Sequence, residues 1–85
     1  MKIQIEVPAY SPEMGLRFVW EDSFFVEAHV ESGSVMITAD TGGLISLARH
    51  LLMLSSNEVP GGSHFHLAES NSLDNGSCEL LIAKK

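Results

Sequence analysis

His64 and His66 stand two residues apart in the run SHFHL. On a strand that spacing turns both imidazoles to one side, within reach of a single metal ion. Glu79 falls on the neighbouring strand and the same face. Glu27 and His29 share that face at a distance set by strand order. Three nitrogen or oxygen ligands around an open fourth position would resemble a catalytic zinc site. An HxH pair alone is a weak signal, because histidines are common on solvated sheet faces. With no secure third ligand, the expectation is no bound metal, no cofactor and no hydrolase activity.

The other candidates for chemistry are weaker. Cys78, the single cysteine, would need a nearby base and a lowered pKa to act as a nucleophile. Its alternation places it on the core side, as a small inert hydrophobe. Ser55, Ser56, Ser63 and Ser77 sit in no nucleophile elbow and no SxxK arrangement. Gly42-Gly43 opens a helix without the lysine of a phosphate loop, and Gly61-Gly62 suits a tight turn before a strand. Glu21-Asp22 reads as a solvated strand end. No catalytic residue is assigned, so the residues describe a fold and a binding surface rather than a reaction.

These residues must be positioned by a small chain. Eighty-five residues make one domain, 1–85, burying only about 60–65% of its unfolded surface. A 45% hydrophobic content marks a globular protein. The net charge of −6, from 11 acidic and 5 basic residues, argues against a nucleic-acid backbone as partner and favours a basic protein. One cysteine excludes an internal disulfide and favours the cytoplasm. The start, MKIQIEVP, does not read as a signal peptide, and no apolar run is long enough to span a membrane.

Lys2–Val7 alternates as a half-buried strand ended by Pro8, and Leu16–Glu21 reads as a short or bent strand. Phe24–Glu31 and Ser34–Asp40 form a hairpin about Ser32-Gly33, pairing Val30 with Val35, Ala28 with Ile37 and Val26 with Ala39 toward the core. Asp40 or Thr41 caps a helix running to about Ser56. Its inward stripe is Leu44, Leu47, Ala48 and Leu51, flanked by Ile45, Leu52 and Leu54, with Ser46, Arg49, His50 and Met53 outward. Ser63–Leu67 and Ser77–Ala83 are the last strands, with Asp74-Asn75-Gly76 as the turn between them and Leu67 opposite Cys78 or Ile82. The order β(β)ββ-α-ββ predicts an α+β domain: one antiparallel sheet of four to five strands, with one helix on one face. Leu47, Leu51, Ile37 and Leu80 are expected to share the core.

One short helix leaves the other sheet face open. That face mixes Phe25, Met36 and Leu81 with Glu27, His29, His64, His66 and Glu79. Acidic groups around aromatic and methionine anchors suit a basic protein partner. The expected partner-binding residues are therefore Phe25, Glu27, Met36, His64, His66 and Glu79. Self-association through this face or an edge strand is the other use of such a surface. A further alternative site is Ala9–Glu21, with Arg17 and Trp20.

From Gly43 to Lys85 the chain resembles small bacterial immunity proteins of the immunity protein 32 type. The resemblance lies in three successive phrases, GLISLARHLLMLS, VPGGSHFHL and NSLDNGSCELLIAKK. It implies an α+β protein that neutralises a cognate toxin of a polymorphic toxin system in the cytoplasm of the producing cell. The residues by themselves support a non-enzymatic binding protein. The alternative reading is a small homodimeric domain with a metal or small-ligand site around His64 and His66.

Overall fold

In a computed structural model describing residues 1–85, the chain forms β1 (Val26–Glu31), β2 (Ser34–Ala39), α1 (Thr41–Leu54), β3 (His64–Leu67) and β4 (Leu80–Ala83). The hairpin β1–β2 has the register that its two-residue loop dictates, with Val30 opposite Val35, Ala28 opposite Ile37 and Val26 opposite Ala39. Ser32 and Gly33 both adopt positive φ, 49° and 82°, as a primed hairpin turn requires. Asp40 closes the base of the hairpin and starts the helix: its Oδ1 accepts from Phe25 N–H (3.0 Å) and Gly43 N–H (2.7 Å).

The chain is α+β, but the single sheet resolves into two antiparallel ribbons, β1–β2 and β3–β4. The expected strand Ser77–Ala83 is ladder-paired only over Leu80–Ala83, and Leu67 faces Leu80 rather than Cys78 or Ile82. The parity is as expected, so Phe65 and Leu67 point into the core while His64 and His66 are exposed. Asp74-Asn75-Gly76 is not a hairpin loop between β3 and β4. It forms a turn against β1, where Asp74 N–H donates to Val26 O and Cys78 N–H to Ala28 O, both at 2.8 Å. Between these two bonds the segment advances by four positions while β1 advances by two, so the ladder that would fuse the ribbons is interrupted.

Neither Lys2–Val7 nor Leu16–Glu21 is a strand; an isolated bridge between Ser11 and Gly15 is the sole pairing of the N-terminal segment. The chain there runs beside α1 and satisfies its backbone on helix side chains.

The core is built from Val26, Ala28, Met53, Leu54, Val59, Phe65, Leu67 and Leu73, with Leu47 and Leu80 packed against it. The helix is rolled away from its apolar stripe. Ser46, Arg49, His50 and Met53, expected outward, are buried, whereas Leu51 is 47% exposed and Leu44 is exposed too. Ile37 is also exposed, at 42%. The roll follows from close approach at the helix start. A Cβ on Gly43 would collide with Phe25 O and the Val26 side chain, and one on Gly42 with Ser23 O, so this side of the helix alone can lie against β1.

Leu51→Ala is therefore expected to cost less than about 1 kcal/mol, whereas Met53→Ala and Leu67→Ala cost about 2–5 kcal/mol each. Urea denaturation of the three variants checks this order.

Candidate functional site

The face turned away from the core is built on the alternation of the two ribbons. On the hairpin, the Glu27–Thr38 and His29–Met36 pairs occupy it. Phe25 and Met36 are exposed, and Glu27 Oε2 lies 3.4 Å from His29 Nε2. On the second ribbon His66 pairs with exposed Leu81, and its Nε2 lies 3.4 Å from Glu79 Oε2. Each ribbon thus presents an apolar anchor beside an acid–histidine pair. Such pairs at the surface are weak and salt-sensitive, so the carboxylates are available to an incoming cation.

His64 is set apart from His66 by its contacts. Its Nδ1 lies 3.4 Å from Gly62 O, and it lines an open cleft of about 610 Å³ with Tyr10, Leu16 and the Gly61-Gly62-Ser63 turn. No three His, Cys, Asp or Glu side chains come together in a group able to hold a metal ion. The two histidines share a face, and the third ligand that a zinc centre needs does not join them. Cys78 is partly buried, packed against the core.

The densest polar constellation lies elsewhere, where the periodicity of α1 gave no sign of it. Ser46 Oγ accepts from Glu21 N–H at 2.9 Å, and His50 Nε2 accepts from Val19 N–H at 2.8 Å. Arg49 donates from Nε to Glu6 O (3.0 Å), from Nη1 to Val19 O (3.0 Å) and from Nη2 to the Glu21 carboxylate (2.8 Å). His50 is only 3% exposed, among Phe18, Trp20 and Phe65, with Trp20 perpendicular to it at 4.6 Å. Trp20 is in turn stacked on Phe24 at 4.3 Å. His50 Nδ1 and Trp20 Nε1 are both buried without a hydrogen-bond partner. The legible clue was the recurrence of Ser46, Arg49 and His50 at helical spacing, which reads equally well as a solvated face.

Burial, and secondarily the Arg49 charge, lower the His50 pKa to about 4. The neutral ring accepts at Nε2, so its proton sits on Nδ1, and a protonated Nε2 could no longer accept the Val19 N–H. The group is structural in its placement, holding main chain rather than facing a cleft.

This depression fixes a pH dependence. In the unfolded chain His50 takes up its proton near 6.5, in the folded protein near 4. Between those values the unfolded state binds more protons, so stability is full above about pH 6.5 and falls on acidification toward pH 4. The His50 contribution to that fall is about 3 kcal/mol. Urea denaturation at pH 7 and pH 4.5 should show His50→Gln losing less stability on acidification than the parent, by about 2–3 kcal/mol.

Comparison with known proteins bears on what the surface serves. A family model described as immunity protein 32 matches residues 34–85, more than half of the chain. The matched region runs from β2 through α1, β3 and β4. It contains Met36, His64, His66 and Glu79, while Phe25 and Glu27 lie outside it. No curated protein and no solved structure matches the chain. No helix is long and apolar enough to cross a membrane.

Proposed function

The chain belongs to the immunity protein 32 family, and from that premise we propose that it is a non-enzymatic immunity protein that neutralises a cognate bacterial toxin by stoichiometric binding. The family match carries this reading. We further propose that it acts in the cytoplasm of the cell that makes both proteins, and that the toxin domain is basic.

The geometry supplies a physical basis for the binding. Met36 and Leu81 are large apolar side chains held exposed by strand alternation, and Phe25, just before β1, is exposed beside them. Buried against a partner, they would act as anchors whose loss is felt in the dissociation rate. Glu27 and Glu79 stand beside them, in a chain of net charge −6. A field of that sign draws in a basic partner and makes association fast and salt-dependent. His64 and His66 extend the same exposed face, as polar contacts with no metal role. The interface proposed is thus Phe25, Glu27, Met36, His64, His66 and Glu79, and it requires no turnover.

The experiment takes as candidate partner a toxin domain sought in the genes neighbouring this one. Co-expression should rescue cells from it, and the purified pair should form an equimolar complex. Glu27→Lys and Glu79→Lys should each slow association roughly threefold to tenfold at low salt, with little effect on dissociation. Phe25→Ala should speed dissociation by roughly tenfold or more. Surface-plasmon kinetics on the folded variants separates the two effects. Unchanged kinetics for all three would place the interface on another surface of the molecule.

A further inference from the structure

The edge of β2 is the feature that the toxin-binding face does not use. β2 is hydrogen-bonded only to β1. Because Glu31 and Ser34 flank a two-residue loop, they form a mutually hydrogen-bonded pair, and so do His29–Met36 and Glu27–Thr38. The alternate residues Val35 and Ile37 therefore direct their N–H and C=O groups away from β1, along an open edge.

Proteins with one sheet edge in water usually guard it with lysine, proline, a bulge or a short strand. This edge has none of these. The six residues Ser34-Val35-Met36-Ile37-Thr38-Ala39 include no charge and no proline, and the register with β1 is unbroken. The side chains toward the core side are apolar and uncovered: Val35 is 58% exposed and Val30, opposite it, 63%. The helix meets this hairpin at Gly43, near Ala39 and Val26, and leaves its far end bare.

We propose that β2 pairs antiparallel with β2 of a second copy of this chain, giving a four-stranded sheet across a two-fold axis. Charge confines a contact between two copies to this edge. A basic toxin is drawn to the carboxylates of the outer face, whereas two copies of a chain with net charge −6 repel wherever acidic surfaces meet. An isologous contact sets like surface against like, so it needs an edge without charge, and β2 is that edge. By contrast β3 and β4 are four residues each, with two histidines on β3 and Lys84-Lys85 following β4. Pairing would bring Val35 and Ile37 against the same residues of the second copy as cross-strand neighbours. It leaves Glu27 and Glu79 free on both copies and sets Met36, itself on β2, beside a residue of the second copy on the outer face, so the dimer would present two toxin-binding faces. The contact is one strand long, which puts the dissociation constant in the micromolar range.

Sedimentation velocity on the isolated protein, from roughly 1 to 200 µM, tests this without the toxin. The expected result is a concentration-dependent monomer–dimer equilibrium. Val35→Pro removes an outward donor while sparing the ladder to β1, and Ile37→Lys places a charge beside the edge. Both should weaken the dimer at least tenfold while circular dichroism and thermal midpoint show a folded chain. If Val35→Pro misfolds, Ile37→Lys alone decides. A parent protein that stays monomeric throughout overturns the proposal, as does a dimer that folded Ile37→Lys leaves unchanged. A monomer whose toxin binding is abolished by folded Val35→Pro also overturns it, assigning the edge to a toxin strand instead.

Discussion

The polar stripe of α1 is the constraint on which the rest of this structure depends. Ser46, Arg49 and His50 face inward and bind the main chain at Glu6, Val19 and Glu21. A buried guanidinium is tolerable only when its donors are met. Here two carbonyls and a carboxylate meet three of them. The same contacts let residues 6–21 lie in the fold without strand partners, because helix side chains take the place of a ladder. Together with the close approach at Gly42 and Gly43, they set the roll of the helix, which turns Leu44, Leu51 and Leu52 toward solvent.

This arrangement joins the two parts of the chain. The region matching the family model begins at β2, and α1 lies within it. The N-terminal segment is held to that region by the helix stripe and by Phe18 and Trp20 against His50, with Phe24 stacked on Trp20. β1, also outside the matched region, is held by its ladder to β2 and by the Asp74–Cys78 segment on its other edge. Phe25 and Glu27 thereby take fixed positions in the proposed binding face, although they lie outside the matched region. At the other end Lys84 donates to Ser56 O (2.6 Å) and Val59 O (2.8 Å), tying β4 to the loop after the helix.

What could be read from the residues is what local chemistry determines. Ser32-Gly33 fixes the hairpin register, because a two-residue loop with positive φ permits one pairing. Asp40 marks the helix start because its carboxylate can meet the Gly43 N–H. The parity of β3 and β4 follows from alternation, so His66 and Glu79 meet on the outer face as the sequence suggests. The roll of α1 was not legible. Apolar residues occupy positions 44, 45, 47, 48 and 51–54, more than one face can hold, and polarity alone cannot show that Arg49 and His50 have buried partners up to 43 and 31 residues away. The single sheet failed for a related reason. Asp74-Asn75-Gly76 announces a turn, and only tertiary contact reveals that the turn rests on β1 rather than joining β3 to β4. Lys2–Val7 alternates like a strand, yet β1 is already flanked on both sides and helix side chains bind the segment instead.

The buried stripe can be tested through the amides it holds. Val19 and Glu21 donate to side chains of α1, not to a ladder or a helix turn. NMR-detected hydrogen exchange at pH 7 should show both amides protected to a degree approaching that of the α1 interior, with Arg49→Ala releasing both while the β1–β2 amides stay protected. Exchange of Val19 and Glu21 at the rate of an unstructured chain in the parent protein would contradict the account, because the N-terminal segment would then not be held by the helix.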